Sequence, residues 1–298
     1  MKKLLDYISK CIHTGESARY ENAESAAHSF TTKTSGSAAD SIEGTISGTA
    51  ADSFPHIISV IGAGGKTTLI RRLSKEFVQD GRKVLVCTTT HMLAESDTLI
   101  LETGDDSQET GNNSQETGNN PQETGDNSQE AGKAPLDAER DPAVFIQKAL
   151  QMLNTQHFCM AGSRCRAEPQ KIEMLPAETF AELKDAADVC LIEADGAKHF
   201  PCKCPAEHEP AIMEGTDLII LVMGLAAIGQ KVSDAVFRYQ LLEPYGITGE
   251  QIVDESLLRF LTKEVYGAKL NRLWPHIPIV TLDMTLDSDF PANQGGMR

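Results

Sequence analysis

The 298-residue sequence predicts a doubly wound α/β fold, with a mostly parallel sheet and helices on both faces. Three observations lead there. Short apolar runs alternate with amphipathic helical stretches, the pattern of strands joined by crossover helices. One run, Ile57-Ile58-Ser59-Val60-Ile61, passes directly into glycines and then into a helix. Another, Asp188 to Asp195, is apolar until it ends in Glu193-Ala194-Asp195.

Ile57–Ile61 reads as a buried parallel strand, because it is continuously apolar and stops at glycine. Over 67–79, Leu69, Ile70, Leu73 and Phe77 share one helix face, and Gly81 supplies the stop. Val84-Leu85-Val86-Cys87 is a second strand, which completes a βαβ unit. Further on, Pro142–Leu153 and Ala177–Leu183 have helical spacing. Phe158–Ala161, Asp188–Asp195, Asp217–Met223 and Ile277–Thr281 read as strands. Helical patterns are expected over roughly 233–243 and 249–263.

The ordered domain is expected at 54–285. Ahead of it, residues 1–12 read as a short amphipathic helix. Residues 13–53 read as a disordered linker rich in Ser, Ala, Thr and Gly, which offers too little apolar surface to offset chain entropy. Residues 102–133 interrupt the domain with a seven-residue repeat, Glu-Thr-Gly opening units at 102, 109, 116 and 123. A coiled coil needs apolar residues at two of the seven positions. Here there are none, so this is a polar low-complexity insertion. Residues 286–298 read as a flexible tail.

The net charge of −16 argues against nucleic acid and against an anionic membrane surface as partners. The insertion carries eight of the acids and one base, so the rest of the chain holds −9, ordinary for a soluble protein. No apolar run reaches the roughly 18–20 residues of a membrane helix. A cytoplasmic location is expected, with the seven cysteines as free thiols.

Gly62-Ala63-Gly64-Gly65-Lys66-Thr67-Thr68 sits between a strand and a helix, where a phosphate loop must sit. Glycines turn the backbone tightly and aim its N–H groups at phosphate oxygens, above a helix N-terminus. Lys66 is placed to reach the terminal phosphates and the Thr67 hydroxyl to ligate Mg2+. Val60 stands where the full consensus has its first glycine, and the shorter form resembles the ATP loop of Mur-type amide ligases. A carboxylate at the end of a neighbouring strand is then needed for the metal. Asp195 is the first choice, with Glu193 orienting a water or acting as a base.

Thr89 and His91 end the second strand at the same sheet edge and are candidates for substrate contact. So are Lys203, Glu207, His208 and Glu209, in a proline-rich loop at 198–210, with His208 a candidate catalytic group. Arg238 is placed to reach a phosphate or to be solvated. Cys202 and Cys204 offer two soft ligands, too few for a closed zinc site.

The glycine loop, Thr88-Thr-Thr-His91, Glu193-Ala-Asp-Gly196, Lys203-x-Pro-Ala-Glu-His-Glu-Pro210 and Gly224-Leu-x-x-Ile-Gly229 together resemble the YqeC family over most of 54–101 and 135–282. The Pro-Ala-Glu-His-Glu-Pro run is the most specific part. The resemblance implies a P-loop NTPase-like fold binding ATP or GTP with Mg2+. It also implies an accessory role in maturation or cofactor biosynthesis of a selenium-dependent molybdenum hydroxylase, with that enzyme or its maturation factors as partners. Family members commonly carry His-Arg where this chain has Phe237-Arg238, so the histidine role is missing here. The final strand lacks a guanine-reading terminus. Three functions fit: an NTPase-type maturation factor, a Mur-ligase-like or kinase-like phosphoryl-transfer enzyme, and a non-catalytic nucleotide-sensing partner of the hydroxylase.

Overall fold

A computed structural model describes residues 4–14, 55–103 and 138–284. The expected linker beyond Thr14, the insertion beyond Thr103 and the tail lie outside the described residues.

The chain order is α1 (Leu4–Thr14), β1 (Ile57–Gly62), α2 (Lys66–Gln79), β2 (Val84–Thr88), β3 (His91–Leu93), β4 (Leu99–Leu101) and β5 (Ala138–Glu139). There follow α3 (Pro142–Thr155), β6 (Phe158–Arg164), β7 (Lys171–Glu173), α4 (Ala177–Ala186), β8 (Val189–Glu193), β9 (Cys202–Lys203) and β10 (Leu218–Gly224). Then come α5 (Val232–Ala235), β11 (Val236–Phe237), α6 (Glu255–Phe260), α7 (Ala268–Leu273) and β12 (Ile279–Met284).

The central sheet runs β12-β10-β1-β8-β2-β6-β4-β5, and every neighbouring pair on that path is parallel. Its inner strands β1, β2, β8 and β10 are buried at every residue, as continuous apolar runs in a two-sided sheet require. One face is covered by α2 through Leu69, Ile70, Leu73 and Phe77, with α1 added through Leu4 and Ile8. The other is covered by α3 and α4 through Phe145, Leu153 and Leu183. The expected fold class therefore stands as a mixed α/β architecture with a mostly parallel sheet. Pro142 begins α3 and the Asp141 carboxylate accepts from Ala143 N at 2.9 Å, so that helix starts at a proline and a side-chain cap.

Two expectations are corrected. The stretch 233–243 is no continuous helix: α5 is a single turn, β11 follows, and Tyr239–Tyr245 forms a 3₁₀ stretch containing Pro244. Proline cannot continue an α-helical ladder, and Arg238 at φ 59° turns the chain before it. The second pattern starts later, at Glu255 under an Asp254 cap, and runs on to Leu273 through a π-helical turn at Leu261–Gly267.

Strand order places the site. From β1 the chain crosses past β8 to β2, whereas β10 and β12 lie on the opposite side of β1. The order thus reverses around β1, and ligands of such sheets bind beyond the strands' carboxyl ends at that reversal. Among the described residues no helix is long and apolar enough to cross a membrane.

Candidate functional site

The carboxyl end of β1 carries the glycine loop. Gly62, Gly64 and Gly65 have φ of 92°, 71° and 131°, a region closed to most side chains. Gly64 also has no room for a Cβ, which would strike the Pro201 carbonyl and lie 2.7 Å from Gly224 Cα. The loop is pinned to β10 by Ala63 N donating to Val222 O at 2.9 Å. It then opens α2, whose first N–H groups have no partner inside the helix. Its N-cap, Gly65, has no side chain to cap that end, and no acid lies in its first turn.

Lys66 Nζ donates to Gly62 O at 2.9 Å and lies 3.8 Å from Glu193 Oε1. Thr67 Oγ1 donates to Glu193 Oε2 at 3.3 Å. Glu193, the last residue of β8, is 7% exposed. Burial raises its carboxyl above the usual range, against the pull of Lys66 and Thr67.

Asp195 has a different setting from the one expected of a metal ligand. Lys203 Nζ donates to its Oδ1, while Tyr266 Oη at 3.0 Å and Gly62 N at 3.3 Å donate to Oδ2. Both oxygens are occupied by protein donors, and the residue is fully buried. Burial raises its carboxyl and the Lys203 charge opposes that rise. The carboxylate beside Thr67 is Glu193.

The network extends outward. Lys203, fully buried, also reaches Gly196 O at 2.5 Å and Glu209 Oε2 at 2.8 Å. Arg238 Nη1 donates to the same Glu209 oxygen at 2.5 Å. Burial raises the Glu209 carboxyl, but the hydrogen bonds from Arg238 and Lys203 overcome it and hold it at about 2. The short parallel pair β9–β11 sets Lys203 opposite Phe237 and so brings Arg238 alongside. Lys198, Lys203 and Arg238 lie 5.5, 5.9 and 4.5 Å from the centre of the Phe237 ring. Lys198 and His199 have left-handed backbones at φ 46° and 66°, a strain that clusters at functional loops.

Other expected residues fall elsewhere. Glu207 and His208 are exposed at the tip of the 198–210 loop, which Lys269 ties down through the Ala206 and Glu207 carbonyls. Thr89 Oγ1 donates to Ala211 O at 2.6 Å. Thr68 is half-buried on the first turn of α2. His91 lies on β3, facing Glu173 at 3.7 Å, in the sheet extension rather than at the glycine loop. Cys202 and Cys204 are buried, which pushes their thiols up to about 12 and about 11. Sequence reasoning missed Tyr266, fully buried and bonded to Asp195. The π-helical turn that presents it has no signature in apolar spacing.

Fold and site together define a mostly parallel α/β protein whose glycine-rich strand-to-helix turn rests on a buried network of carboxylates and lysines. The YqeC protein family matches it over residues 58–240. Over 221 residues the chain is 31% identical to the Uncharacterized protein YqeC of Escherichia coli (strain K12), covering 73% of this chain and 71% of that protein. The chain belongs to the YqeC family. The matched span includes the glycine loop, both acids, Lys203, Glu209 and Arg238, and ends before Tyr266 and Lys269.

Proposed function

We propose that the 62–68 loop binds ATP or GTP with Mg2+, in a P-loop NTPase-like fold. In this reading the chain acts as an NTPase in maturation or cofactor biosynthesis of a selenium-dependent molybdenum hydroxylase. The nucleotide part rests on one observation: Lys66 and Thr67 converge on buried Glu193 beside an uncapped helix N-terminus. The hydroxylase part rests on the family resemblance.

The donor set fits Mg2+. Thr67 and Glu193 offer a hydroxyl and a buried carboxylate, the hard oxygens this cation prefers. They would hold it, directly or through water, and the bound ion would neutralise phosphate charge. Asp195 instead fastens the loop through Gly62 N. The N–H groups at the start of α2 would cradle phosphate oxygens, and Lys66 would leave Gly62 O for a phosphate. Glu193, raised by burial, is also near enough to orient a water.

A second reading is favoured by the loop at 198–210. Pro201 O accepts from Gly224 N at 3.0 Å against the glycine loop, so an acceptor held by Lys198 and Arg238 would sit beside the phosphates. That is a Mur-ligase-like or kinase-like transfer. Calorimetric titration with ATP and GTP, with and without Mg2+, tests the site. Lys66→Ala is expected to abolish binding while leaving the circular dichroism spectrum unchanged. Unchanged affinity would end the phosphate-loop reading. Phosphate release without an acceptor favours the NTPase, and turnover only with an acceptor favours transfer.

A further inference from the structure

A second group of chemistry-bearing residues lies in the sheet extension formed by β3, β7 and the end of β6. His91 pairs with Glu173 across β3 and β7, and Ser163 pairs with Glu173 across β6 and β7. Directly paired residues leave the same face, so the three side chains form one row. Cys165, two residues after Ser163, falls on that face by strand periodicity, and its N–H donates to Lys171 O at 3.3 Å. One ligand atom each from His91, Cys165 and Glu173 lie within 4.8 Å of one another. In the same row the Ser163 hydroxyl, on a residue 2% exposed, has no hydrogen-bond partner among the described residues. A buried hydroxyl without a partner costs about 1–3 kcal/mol and calls for an explanation.

We propose that His91, Cys165 and Glu173 bind a zinc-class divalent cation, with Ser163 serving the ligand in the fourth position. A nitrogen, a sulfur and a carboxylate oxygen are the donors this class takes, and the sulfur selects it over Mg2+. Three protein ligands leave a fourth position for a water molecule. Binding releases the Cys165 thiol proton to solvent and leaves the thiolate on the metal. The neighbouring acid Glu168 is engaged by Lys171 at 2.5 Å and is not the fourth ligand. A thiol nucleophile assisted by His91 is a poorer account, because Cys165 is 1% exposed and out of reach of a substrate. The site stands independently of the nucleotide reading, although β3 continues from the Thr88–Thr90 segment that bonds Glu193.

The test uses the full chain, stripped with a chelator under a thiol-free reductant and titrated with Co2+ and then Zn2+. Stoichiometric Co2+ is expected to give a thiolate-to-cobalt charge-transfer band and intense visible bands, both removed by Zn2+. Cys165→Ser loses the charge-transfer band. Glu173→Gln lowers Co2+ affinity at least about tenfold. Ser163→Ala keeps the charge-transfer band and shifts the visible bands. Absence of the charge-transfer band in the native chain, or its persistence in Cys165→Ser, overturns the proposal. Where Cys165→Ser fails to fold, Glu173→Gln decides, since that side chain is half-exposed: unchanged affinity there overturns it as well.

Discussion

Lys203→Met tests the buried network most directly. Methionine has a similar length and keeps the apolar packing, so the change isolates the ammonium. In the native chain that ammonium meets Asp195, Glu209 and the Gly196 carbonyl with no solvent access. Removing one partner of a buried pair costs about 3–5 kcal/mol, because the charge left behind is uncompensated. The lower end applies here. Asp195 retains Tyr266 and Gly62 N as donors, and Glu209 retains Arg238 and Ala206 N. A loss of about 3 kcal/mol corresponds to a fall of about 6–12 °C in Tm for a domain of this size. Thermal unfolding followed by circular dichroism measures it. Asp195→Asn combined with Lys203→Met removes both charges and is expected to recover part of the loss. A fall corresponding to under about 1 kcal/mol, or strictly additive losses in the double variant, would show that the pair is not held in a dry environment.

The remaining predictions concern the glycine loop and the two perturbed acids. Gly64→Ala forces a side chain into φ 71° and against the Pro201 carbonyl, and is expected to destabilise by about 1–3 kcal/mol or more, read as a lower denaturant midpoint. The Glu209 carboxyl is held at about 2, so its contribution is present above the ordinary glutamate value of about 4.3 and is lost as pH falls toward about 2. Glu209→Gln is therefore less stable at neutral pH, and the gap narrows through that acid window in pH-dependent melts. For Glu193 the sign is opposite. Burial raises its folded carboxyl, so charging it as pH rises weakens the fold. Glu193→Gln is expected to melt higher than the native chain at pH 7, with the difference vanishing below about pH 4 where both states are protonated. The same variant should lose Mg2+-dependent nucleotide affinity in calorimetry.

Much of this was legible along the chain because it is local. The run from Ile57 through Phe77 reads as strand, glycine turn and helix, and those elements stand at Ile57–Gly62 and Lys66–Gln79. Continuous apolar strands and a 3.6-residue helix period report burial that each element needs whatever its neighbours are. Where local rules conflict, the reading failed. Residues 233–243 have helical spacing, yet Pro244 and the left-handed Arg238 break them into a turn, a strand and a 3₁₀ stretch.

The site divides the same way. The sequence by itself determined that Gly62–Thr68 would lie at the carboxyl end of a buried strand, and that Glu193 and Asp195 would end another. It favoured Asp195 for the metal and Glu193 for a water or a base, on position alone, with the two acids only two residues apart at the same strand end. Tertiary structure set their surroundings: β8 docks beside β1, which sets Glu193 against Thr67. Lys203 and Tyr266, 8 and 71 residues away from Asp195, occupy its oxygens. A carboxylate's role depends on which donors surround it. Those donors come from distant segments whose meeting depends on sheet order, which local spacing does not encode.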